Sequence, residues 1–167
     1  MNLSTHLKKL KSSEQFKRFI KENPKAFLCS GFFVIDKEGT DNKKHFDYYI
    51  EDKNQIFSFQ LEDEIKLIQL ETTIKEAPRE LKAKNYFDFE EIEKLINEKA
   101  KQEEIKNKLQ KMMFSLQNAD GKEMLIGTIF LSGFGLLKVN IDLAEMKITS
   151  FEKKSFFDMV KIIKKKD

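Results

Sequence analysis

The stretch Phe87-Asp88-Phe89-Glu90-Glu91-Ile92 decides how this chain is organised. Asp88 is of the small polar type that caps a helix, Glu91 stands where a capping box places its acid, and Phe87 and Ile92 are spaced to staple the entry. The pattern predicts a helix starting at Asp88, with Phe89, Ile92, Leu95, Ile96 and Ala100 on its apolar face and a break near Gln102 to Glu104, where no apolar residue continues the stripe. On both sides of this helix the hydrophobic period changes from helical to two.

Upstream, Leu3, Leu7 and Leu10 recur at helical spacing, and a second helical stretch opens at Ser12-Ser13-Glu14-Gln15 with Ser12 and Gln15 in capping-box register. Asn23-Pro24 ends it, because a residue before proline is pushed out of the α region. Phe27 to Ile35 then reads as a strand buried on both faces. His45 to Glu51 alternates, with Phe46, Tyr48 and Ile50 on one side; Phe57, Phe59 and Leu61 repeat the alternation, and Ile65 to Leu70 adds a fourth strand. The segment from Thr72 to Tyr86 is a polar connector with room for a short strand around Glu80-Leu81-Lys82.

Downstream the strand chemistry returns in Met112 to Leu116, Met124 to Leu131, Leu136 to Ile141 and Lys147 to Phe151. Asp120-Gly121 marks a tight hairpin corner, since glycine takes the positive φ such turns demand. Ser155 to Ile163 reads as a short closing helix before a lysine tail. The expected class is therefore α+β, with two helix-plus-antiparallel-meander units at 1–86 and 87–167 that are free to pack as one domain. Tyr49 to Phe59 resembles Asn140 to Phe151, which suggests an internal duplication.

The run Lys138-Val139-Asn140-Ile141-Asp142-Leu143-Ala144-Glu145-Met146-Lys147-Ile148, a strand running into an Asp turn and returning, resembles the PepSY-type domain, and Asp47 to Phe59 resembles it more faintly. The resemblance covers most of the chain as two copies. It implies a helix-plus-meander fold and a non-catalytic inhibitory or peptide-binding role.

Composition excludes more than it identifies. With 40% hydrophobic residues, 16 Phe and only 2 Pro in 167 residues, the chain belongs to neither the disordered nor the collagen-like class. The 31 basic and 28 acidic residues nearly cancel, and the only arginines are Arg18 and Arg79, so specific nucleic-acid readout is not expected. The uncharged stretch Leu125 to Leu137 is too short, and too interrupted by Gly127, Gly133 and Gly135, to span a bilayer as a helix. The N-terminus has no apolar signal region, and the expected setting is cytoplasmic.

Chemistry-bearing motifs are sparse. Gly133-Phe134-Gly135 and Gly121-Lys122 lack the spacing of phosphate loops, and two histidines with one cysteine supply no zinc set, so no cofactor and no metal are expected. The sharpest catalytic alternative is a small hydrolase in which Cys29 and His45 meet on neighbouring strands with Asp47 as orienting acid. A second alternative is weak, lysine-mediated binding to nucleic acid or another anionic surface through the basic ends of the chain. The reading preferred here is a non-enzymatic module that binds a protein or peptide, or pairs with itself. Its candidate contact residues are Phe134, Phe156 and Phe157, flanking an edge strand within or beside the uncharged Leu125 to Leu137 stretch.

Overall fold

A computed structural model describes residues 2–155. Helices α1 (Leu3–Ser12) and α2 (Glu14–Glu22) precede strands β1 (Phe27–Asp36), β2 (Lys43–Ile50), β3 (Gln55–Gln60) and β4 (Lys66–Leu70). Helix α3 (Phe89–Gln102) precedes β5 (Leu109–Ala119), β6 (Lys122–Leu131), β7 (Gly135–Asp142) and β8 (Lys147–Ser155). The class is α+β, as the alternating periods predict. The two meanders, however, are not two separate sheets. β1 pairs antiparallel with β5, giving one eight-stranded sheet in the order β4-β3-β2-β1-β5-β6-β7-β8. An isolated meander would leave the outer edge of its first strand unpaired, and joining β1 to β5 satisfies both such edges at once.

The sequence similarity between Tyr49 to Phe59 and Asn140 to Phe151 joins elements that do not correspond. The first segment spans β2 and β3, the second and third strands of their meander; the other spans β7 and β8, the third and fourth. The Asp142 turn itself forms as read: Asp142 Oδ1 accepts from the amides of Ala144 and Glu145 at 3.0 and 3.3 Å.

Local capping departs from the sequence expectation by one residue. Ser12 ends α1, and Ser13 caps α2, its Oγ accepting from Phe16 N at 3.2 Å. Asp88 caps α3 by accepting from Glu90 N at 3.3 Å, while its carbonyl takes Glu91 N. The chain leaves α3 after Gln102, with Glu104 at φ 58°. The connector forms no strand around Leu81, although Leu81 N donates to Leu28 O at 2.7 Å and its side chain is buried. β8 continues through Ser155, where the closing helix was expected to begin; the rest of that expected helix lies outside the described residues.

All three helices cover one face of the sheet. Phe16 and Phe19 of α2 pack edge-on against Tyr48 and Phe59, and the Phe89 ring of α3 lies 5.0 Å from Phe33 and 5.7 Å from Phe114. Phe33, Phe46, Phe59 and Phe114 are essentially inaccessible, so most of the aromatic content serves as core. Alternation sends Phe32, Val34, Met113, Ile126 and Phe130 to the opposite face, which none of the three helices covers. None of these helices is long and apolar enough to cross a membrane.

Candidate functional site

The catalytic alternative can be placed atom by atom. A bulge between Leu28 and Ser30 shifts the register of β1 against β2. Cys29 Sγ then lies 3.4 Å from the carbonyl oxygen of Asp47 and 4.0 Å from Ser30 Oγ. Ser30 Oγ donates to Asp47 Oδ2 at 2.8 Å, so the acid expected to orient a histidine is held by a serine. His45 stands opposite Phe32 in the register, with ring centroids 5.8 Å apart, and its Nε2 contacts the Glu62 carboxylate. The structure thus brings Asp47 to Cys29 and Ser30 but does not bring His45 to either nucleophile. Burial, reinforced by the Asp47 charge, pushes the Cys29 thiol up to about 12, which leaves it protonated and unreactive at neutral pH.

Phe134 occupies the corner between β6 and β7 at φ 60° and is 71% exposed. It borders a shallow cavity of about 450 Å³ together with Phe130, Leu131 and Leu136. Phe156 and Phe157 lie outside the described residues. The uncharged Leu125 to Leu137 stretch is not an edge. β6 is paired on both sides, to β5 and to β7, so its lack of charge reflects an interior strand whose backbone is already satisfied.

Among the described residues the edges of the sheet are β4 and β8, and they differ. β8 carries Lys147, Glu152, Lys153 and Lys154, the charged pattern that discourages strand addition. β4 has only Lys66 before the uncharged run Leu67-Ile68-Gln69-Leu70, with Leu67 41% and Ile68 40% exposed on its two faces. Acidic residues bracket it, Glu62-Asp63-Glu64 before and Glu71 after. Sequence reasoning found β4 as a strand but did not single it out as an edge; the available signal was its shortness together with the absence of charge inside its Leu67 to Leu70 run.

The acid-rich loop after β1 is held together by its own amides and by a lysine. The Asp36 carboxylate accepts from the amides of Glu38, Gly39 and Asp41, and Lys111 pairs with Asp36 and Asp41 at 3.9 and 3.0 Å. These amides, chiefly that of Asp41, hold the Asp36 carboxyl below its ordinary value, and the loop's negative charge is answered by lysine. Among the described residues no group of three or more His, Cys, Asp or Glu side chains stands together as a metal site. No family model, no curated protein and no solved structure matches this chain.

Proposed function

We propose that this chain is a non-enzymatic binding module that captures an extended segment of another protein along the β4 edge. The observation that carries the reading is the asymmetry of the two edges: β8 is guarded by charge, whereas β4 offers unpaired backbone groups beside exposed Leu67 and Ile68. Only an extended strand satisfies a sheet edge. The acidic brackets around β4 select a segment with an apolar centre and basic flanks. They also oppose a second copy of the chain, because antiparallel β4 to β4 pairing would bring Glu71 of one molecule toward Glu64 of the other. The repeated order of helix and four-stranded meander is in keeping with an internal duplication, and His45 on Glu62, with Asp47 held by Ser30, is in keeping with a role without catalysis.

The test is a titration followed by amide NMR. The probe is a peptide of alternating Val and Thr with two lysines at each end, compared with its glutamate-flanked counterpart. Saturable shifts along residues 66–70 for the lysine peptide, abolished by Ile68→Lys, are expected. Shifts centred elsewhere, equal binding of both peptides, or dimerisation of the chain through β4 would overturn the proposal.

A further inference from the structure

A cleft of about 410 Å³ opens between α1, α2, the start of β1 and the connector that precedes α3. Its floor is apolar: Leu7 from α1, Phe16 and Ile20 from α2, Leu28 from β1 and Leu81 from the connector. The floor is assembled by tertiary contact, since the Leu81 amide is held on the Leu28 carbonyl. Three cations, Lys8, Lys11 and Lys82, line the rim against a single acid, Glu80. Among the described residues none of these three lysines makes an ion pair, so their charge is open to a ligand.

Tyr48 adds a second, independent feature. Its ring is wedged between Phe16, Phe19 and Phe59, and the residue is only 4% exposed. The hydroxyl makes no hydrogen bond within the described residues. Nor is it sealed away, because among the described residues no inaccessible side-chain oxygen lacks a partner, and Tyr48 is one of the residues that line the cleft. Buried hydroxyls are normally paired, so one without a protein partner on a residue that lines a cavity is a group available to a ligand atom. Burial raises its pKa, which keeps it a donor.

We propose that this cleft binds a small apolar carboxylate bearing one further oxygen along its body. The hydrocarbon part lies on the aliphatic and aromatic floor, the carboxylate meets the lysine rim, and the Tyr48 hydroxyl donates to the inner oxygen. The volume falls at the small end of the range for ligand pockets, which suits an acyl or aryl acid and not a nucleotide-sized cofactor. This site is separate from the β4 edge and stands whether or not that edge binds a peptide.

Isothermal titration calorimetry tests it with decanoate, 3- and 10-hydroxydecanoate and decyltrimethylammonium, each below its micelle concentration. Saturable binding of the acids and none of the ammonium is expected, with one hydroxy acid several-fold tighter than decanoate. Tyr48→Phe, which removes only the hydroxyl, should abolish that preference. Lys8→Glu with Lys11→Glu, or Lys82→Glu alone on the connector, should weaken every acid tenfold or more. The proposal is overturned if no acid binds saturably, if the ammonium binds as tightly as decanoate, or if Tyr48→Phe leaves the preference intact.

Discussion

Phe33 of β1 and Phe114 of β5 stand directly opposite each other across the seam that joins the two meanders, and the Phe89 ring lies against both. The seam is therefore held in two ways, by a ladder of backbone hydrogen bonds and by one aromatic ring that bridges two strands from distant parts of the chain. The ladder satisfies the inner edges of both meanders. The ring removes the seam's apolar surface from water.

Replacing that ring tests how much the bridge contributes. Phe89→Ala should lower unfolding free energy in urea by about 3–5 kcal/mol, the usual cost of deleting a fully buried aromatic. Such a loss is a large fraction of a typical domain's stability, so Phe89→Leu serves as the milder companion. A cost under about 1 kcal/mol for Phe89→Ala would mean that the backbone ladder alone holds the halves together.

Gly127 on β6 lies under the Phe114 ring: an added Cβ would meet ring carbons and the Val139 Cγ2 methyl at 2.8 Å. Gly127→Ala should cost about 1–3 kcal/mol through overpacking. Combining it with Phe114→Leu should cost less than the sum of the two, because the smaller side chain frees the space. Gly121→Ala makes the contrasting case. Nothing lies within 4 Å of its added Cβ, but φ is 86°, so its expected cost of about 1 kcal/mol is backbone strain that no neighbouring substitution relieves. Strict additivity at Gly127 would remove the steric explanation.

Cys29 titrates from its ordinary 9.0 up to about 12 on folding, owing first to burial and then to Asp47. The folded state holds this proton more tightly than the unfolded one. Its contribution to stability is therefore complete at neutral pH and is lost as pH rises from about 9 toward about 12. Wild type should lose more stability between pH 8 and pH 10.5 than Cys29→Ala does, and the folded thiol should react with a disulfide reagent far more slowly than the urea-unfolded one. Equal rates in the two states would refute the buried assignment and restore a reactive cysteine.

The order of elements was legible because it depends on near neighbours. Asp88 and the Phe89, Ile92, Ile96 stripe mark α3, Pro24 stops α2, and the alternations at Phe46-Tyr48-Ile50 and Met112-Phe114-Leu116 mark strands, all within a few residues of the features they explain. Even here the sequence pointed to Ser12 as the cap of α2, whereas the backbone, extended at ψ 148° at Ser13, makes Ser13 the cap. The candidate site was less legible. Phe134 is exposed at its corner as an interface residue would be, but the uncharged stretch that suggested an edge is interior, and β4 became a candidate only when its place at the end of the sheet was known.

By itself, then, the sequence determined an α+β chain with helix-then-meander order, a phenylalanine core and a cysteine in apolar surroundings. Only the tertiary structure decided that β1 pairs with β5, that β4 and β8 are the edges of the described sheet, that Asp47 takes Ser30 and not His45, and that Leu81 and Tyr48 line one cleft. The physical reason is range. Capping, turns and hydrophobic period are set by interactions along a few residues of chain. Strand order, edge exposure and the lining of a cleft come from contacts between distant segments, and alternation reads the same whichever strand lies alongside.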